Sequence, residues 1–161
     1  MPRRRNQSRT LERVLGVGLA RGYHSILVPI VAGQESREAV ELAARLANER
    51  AGRIVLLRVI VVSVELPLDA DVNEQLSEAA KLLDRAREIA EPYGVRVLER
   101  VVRARHAGRA IVEEAGRRES DLIVLGARRG ERRAIFGETV DYVLKHSPSR
   151  VMIAAKRRVV A

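Results

Sequence analysis

Five short apolar runs, each separated from the next by a segment with helical spacing, constrain this chain more than any other feature. The first, SILVPIV (25–31), is a continuous apolar run after Ser25, bounded by Pro29 and Gly33. A run apolar on both faces reads as a central parallel strand. The second is RIVLLRVIVV (53–62). The third, 95–102, alternates apolar and polar residues as a more exposed strand does. The fourth, 121–125, and the fifth, 150–155, flank a loop rich in glycine and arginine.

Between these runs the spacing predicts four helices. Val40, Ala43, Ala44 and Ala47 share one face of a helix over 35–50. Leu76, Ala79, Ala80, Leu83, Ala86 and Ala90 do the same over 71–91. Shorter helices are expected over 107–118 and 137–146. Gly52 reads as a left-handed stop for the first helix, and Pro92 with Gly94 as the stop for the second. Strand and helix thus alternate four times before a fifth strand. That order predicts an α/β fold, an open parallel sheet with helices on both faces joined by right-handed crossovers.

Composition narrows the function classes. No apolar run approaches the roughly 20 residues of a membrane span. With no cysteine there is no disulfide framework and no thiol nucleophile, which suits the cytoplasm. Three tyrosines, one phenylalanine and no tryptophan leave little for stacking on bases. The net charge of +9 is concentrated: residues 1–22 hold six arginines against Glu12, about +5 of the total. Nucleic acid is therefore not the expected partner. Residues 1–22 read as a basic leader, disordered or with a short helix from about Leu11. The alternative is an interfacial segment, with Leu11, Val14, Leu15 and Leu19 on one stripe and arginines facing anionic lipid, which would add membrane association. The α/β domain is assigned to residues 23–158.

Open parallel sheets bind ligands beyond the carboxyl ends of their strands, where the strand order reverses. Those ends carry Pro29, Ile30 and Val31, then Val61, then Leu125 and Gly126. Arg128, Arg129, Gly130, Arg132 and Arg133 follow in the loop, and Gly137, Glu138, Thr139 and Val140 open the next helix. Glycines permit close backbone approach, and a helix start offers unpaired N–H groups and a positive dipole end. Strand, glycine-rich loop and helix together suit a phosphate, with the apolar strand ends against a base. The arginines read either as an anion clamp or as a solvated surface loop. Neither a Walker A loop nor a GxGxxG fingerprint is present.

Catalytic signals are lacking. His24, His106 and His146 have no metal-ligand spacing, and Asp69 and Asp71 read as solvent-facing caps. Glu113 and Glu114 cannot share a helix face, and no serine sits in a GxSxG elbow. The expectation is a protein that is not an enzyme, slow ATP hydrolysis being the residual alternative.

From about Tyr23 to Ala155 the chain resembles the universal stress protein family, through ILVP, AIVEEA, DLIVLGARRG and FGETVDYVLKHSPSRVMI. The resemblance implies a strand order of 3-2-1-4-5 with four helices and a regulatory or sensor role. It also implies an adenine nucleotide, ATP or AMP, with no metal beyond nucleotide-associated Mg, and a homodimer through the last strand at Val151, Met152 and Ile153. Nucleotide-binding members carry Gly-x2-Gly-x9-Gly-Ser/Thr after the fourth strand. Here three residues separate Gly126 from Gly130 and six separate Gly130 from Gly137. Glu138 takes the hydroxyl position, and Val31 takes a position usually acidic in nucleotide binders. A carboxylate at a helix start opposes a phosphate unless Thr139 or the arginines offset it. The variant loop with FGETVDYVL is also similar to domains at the cytoplasmic ends of amino-acid permeases. That implies, as the alternative, a regulatory or interaction domain of a membrane transporter that binds no nucleotide.

Overall fold

The computed structural model describes residues 23–31, 34–49, 51–127 and 137–155. The first apolar run becomes β1 (Ser25–Pro29), the middle strand of a five-stranded sheet. Chain order continues with α1 (Gln34–Asn48), β2 (Arg53–Val61), α2 (Asn73–Ala90), a 3₁₀ turn (Glu91–Tyr93), β3 (Arg96–Ala104) and α3 (Ala107–Arg117). It closes with β4 (Leu122–Ala127), α4 (Gly137–His146) and β5 (Arg150–Ala155). The order across the sheet is β3-β2-β1-β4-β5 and every pairing is parallel, as the alternation and the family resemblance require.

Strand alternation divides the core into two layers. Ile26, Val28 and Ile30 pack with Ile54, Leu56, Leu122 and Val124 under α1 and α2. Leu27, Val55, Leu57, Ile123 and Leu125 pack under α3 and α4. The predicted face of α1 (Val40, Ala43, Ala44, Ala47) is fully buried. Alanines there bring the helix backbone close to the sheet at no cost in side-chain entropy. On α2 the buried face is Ala79, Leu83, Ala86 and Ala90, whereas Ala80, expected on that face, is exposed. Leu82 and Ile89 flank it instead. The third run is an edge strand with no fully buried residue, which explains its alternation.

Several boundaries move for local reasons. Pairing carries β1 to Pro29, with the Ile30 amide still donating to the Leu57 carbonyl of β2 at 2.7 Å, and the chain then turns into α1 as the Val31 amide donates to Ser36 Oγ at 2.9 Å. The second helix begins at Asn73 rather than Asp71, since the Asp71 carboxylate accepts the Asn73 amide in a turn. Gly94 does end the 3₁₀ turn in a left-handed conformation, φ 67°. Gly52 is not the left-handed stop of α1. Ala51 carries that conformation, φ 51°, and Gly52 serves a close backbone approach instead.

The amino ends of the strands are tied together by polar groups. Asp121 accepts the His24 amide at 2.9 Å and the Ser25 amide at 3.0 Å, fastening β1 to the start of β4. Arg53 donates to the Arg118 carbonyl, Ser149 to the Ser120 carbonyl, and Arg150 to the Tyr23 hydroxyl. Nearby, Glu114 is 1% exposed. Its Oε1 accepts from Arg118 Nε at 3.0 Å, with Arg100 from β3 and Arg117 each 3.5 Å away. Glu113 points out to Arg109, so the two adjacent carboxylates do lie on different faces.

Candidate functional site

The strand order reverses between β1 and β4. Their pairing covers only Ile26 with Leu122 and Leu27 with Ile123, while β1 pairs with β2 over five residues. Beyond Leu27 and Ile123 the sheet therefore has an unpaired seam at its carboxyl end. That is the position where a parallel sheet admits a ligand, and Pro29, Ile30, Leu125 and Gly126 lie at the strand ends that flank it.

The sheet sorts these residues by side. Ile30 is 3% exposed and belongs to the layer under α1 and α2. Leu125 and Val140 lie in the opposite layer, at 3% and 7% exposure, and so join the end of β4 to the start of α4. All three are core side chains that shape the seam. Val31 and Val61 are exposed, at 43% and 57%, Val31 just past the end of β1 and Val61 at the end of β2, with Pro29 half-buried. Gly126 is half-buried and falls in the Leu122–Val124 row of β4. Arg128, Arg129, Gly130, Arg132 and Arg133 lie outside the described residues.

Gly137 opens α4 with φ 74°, a conformation that any L side chain would strain. No other atom approaches within 4 Å of where a Cβ would be, so its glycine answers to the backbone alone. Glu138 is exposed in the first turn and Thr139 is half-buried. The carboxylate sits where the helix dipole favours negative charge, and it occupies that position in competition with any bound anion.

Two residues that sequence reasoning passed over hold the end of β1. Arg58 donates Nη1 to the Ile30 carbonyl at 3.2 Å, and Ser36 both accepts from and donates to Val31. Arg58 was visible as the lone charge inside an apolar strand. Ser36 had the weaker signal of a hydroxyl near a helix start. On the outer side of this junction, Ile30 and Val31 also border a depression of about 280 Å³ between α1 and α2, rimmed by Arg37 and Arg85.

Two of the three histidines make structural contacts with helix ends and Tyr142. His106 caps α3 by accepting the Arg109 amide at its Nδ1, and its ring lies 4.8 Å from Tyr142. His146, in the last turn of α4, stacks on Tyr142 at 4.0 Å. Among the described residues, no cluster of three His, Asp or Glu is placed to hold a metal, and no helix is long and apolar enough to cross a membrane.

Comparison with known proteins agrees with this architecture. The model of the universal stress protein family matches residues 22–155. No curated protein matches the chain significantly. Among solved structures, a universal stress protein of Archaeoglobus fulgidus aligns at a TM-score of 0.70 and 20% identity, over 81% of this chain and 98% of its own. The same family's protein from that organism in complex with dAMP gives 0.66 at 20% identity, over 81% and 97%. A family member from Arabidopsis thaliana with AMP bound gives 0.63 at 20% identity, over 83% and 92%. With the parallel order β3-β2-β1-β4-β5 and the family match over its whole α/β domain, the chain belongs to the universal stress protein family.

Proposed function

We propose that the chain is a non-catalytic regulatory or sensor domain that binds an adenine nucleotide, ATP or AMP, at the seam between β1 and β4. The observation carrying this reading is the early end of the β1–β4 pairing, with Gly126 on one side and the left-handed Gly137 at the start of α4 on the other. Relatives solved with AMP and dAMP support the ligand class. Val31, Val61 and Pro29 meet the base, and the backbone at Gly126, Gly137 and Thr139 lies nearest the phosphates. Arg128 and Arg129, beside Gly130, supply charge that offsets Glu138, and any Mg arrives with the nucleotide. Occupation of the seam changes the surface that a partner reads, including a homodimer edge at Val151, Met152 and Ile153 on β5, which is exposed to a further strand.

Isothermal titration with ATP, AMP and cyclic dinucleotides tests the reading. ATP or AMP is expected to bind, and Gly126→Val or Gly137→Val to weaken binding about tenfold or more, equivalent to 1.4 kcal/mol. Circular dichroism must show both variants folded. No heat at millimolar nucleotide, or unchanged affinity in folded variants, would end it.

A second reading is favoured by Glu138 at the helix start and Val31 at the strand end, both adverse to a nucleotide. It is an interaction domain serving a membrane transporter, located in the cytoplasm and touching anionic lipid through residues 1–22. Absence of nucleotide binding, together with vesicle co-sedimentation lost on removing residues 1–22, would favour it over the first.

A further inference from the structure

Exposed apolar side chains are unevenly spread over the described residues. Of the six large ones, five lie at the carboxyl end of the sheet: Val31, Val61, Val64, Leu66 and Leu68. Val64 is 84% exposed, in the connection between β2 and α2. A mobile loop could hide such side chains by collapse, but this connection is braced. Arg105 donates to the Val62 and Ser63 carbonyls, and Arg103 to the Ala70 carbonyl at 3.1 Å. Two internal turns, Leu66 to Ser63 and Ala70 to Pro67, each close with an amide–carbonyl bond of 3.0 Å. The two arginines at the end of β3 thus hold a ridge that presents Val64, Leu66 and Leu68 to solvent. Three exposed apolar side chains on one braced segment are the kind of surface that a partner covers.

Charge selects the occupant. The ridge carries Glu65, Asp69 and Asp71, all exposed, against a chain of net charge +9. Acidic groups there repel an anionic lipid surface and nucleic acid. They sit beside Arg103 and Arg105, and among the described residues none of these five forms an ion pair. The ridge is therefore close to neutral and holds both signs, on a molecule whose excess positive charge otherwise opposes self-contact. A two-fold axis through such a patch sets the acids of one copy against the arginines of the other and buries both apolar crests. We infer that the β2–α2 ridge is a homotypic interface, joining two copies of this chain across a two-fold axis near Leu66. It is separate from the β5 edge, so the two contacts can coexist.

Sedimentation velocity over a concentration series tests this with variants at exposed positions, which leave the core intact. Wild-type protein is expected to reach about twice the mass of V64D/L66D and of V64K/L66K, since like charges at the axis oppose pairing. Where copies also pair through β5, each such pair carries two ridges and the ratio rises to two or more. Mixing the two variants in equal amounts should restore the wild-type mass, because unlike charges then meet across the axis. Thermal melting matching wild type confirms that each variant is folded. Equal masses for wild type and both variants overturn the inference. So does a mixture that stays at the mass of its parts, which would mean that the ridge meets something other than itself.

Discussion

Replacing Gly52 by alanine will destabilise the domain by about 3 kcal/mol, the upper range for forcing a group into filled space. Its Cβ would lie 2.4 Å from the Tyr23 carbonyl oxygen and 2.9 Å from that of His24. Both obstacles are backbone. The His24 carbonyl is also committed, accepting the Arg53 amide at 2.9 Å where β2 enters the sheet, and the Gly52 amide donates to the Ala47 carbonyl at the end of α1. Relief of the clash therefore disturbs either the first rung between β1 and β2 or the end of α1. For a domain of this size the melting temperature should fall by roughly 10 °C. Gly116→Ala is the matched control: nothing lies within 4 Å of its Cβ position, and alanine is the better helix former by about 0.5 kcal/mol or more. Differential scanning calorimetry should move the two variants in opposite directions. A Gly52→Ala protein that melts like wild type would show that the α1–β2 turn has slack which the backbone contacts deny.

The second large effect is expected at Glu114. Glu114→Ala removes the one buried carboxylate that Arg118, Arg100 and Arg117 share. Deleting one side of a buried ion pair commonly costs about 3–5 kcal/mol, because the partners keep their charge without compensation. Here Arg100 and Arg117 are 43% and 68% exposed and can turn to water, which lowers the expectation to about 2–3 kcal/mol. Arg118, at 27% exposure, retains the larger share of the penalty. Glu114→Gln should lose less, since an amide oxygen still accepts from Arg118. Chemical denaturation would register the order wild type, Gln, Ala. Equal midpoints for all three would mean that the arginines draw nothing from the carboxylate.

The layered sheet was legible in the sequence because burial on both faces of β1 and on one face of α1 is written in residue type. Val40, Ala43, Ala44 and Ala47 could be read as a buried stripe with no knowledge of what covers it. Gly52 and Glu114 could not be read in that way. The need for glycine at 52 arises from the carbonyls of Tyr23 and His24, which are near only once β1 and β2 pair. Glu114 looks like any helix carboxylate until Arg100 arrives from another element. The candidate site was legible to the same degree. Strand ends and glycines marked the seam, yet which side each residue serves depended on pleat and register. Ile30, Leu125 and Val140 consequently proved to be core on opposite layers, though their positions along the chain had grouped them with the exposed Val31 and Val61.

Asp121 fastens His24 and Ser25 to the start of β4, and so fixes the amino end of β1. Tyr23 lies at the amino end of β1, whereas the seam opens at its carboxyl end, so attachment and recognition sit at opposite poles. A domain held to a surface or a bead through its leader would present the seam and the β2–α2 ridge outward. A sensor chip coupled through residue 1 should therefore retain access to the proposed nucleotide seam and to the proposed ridge contact.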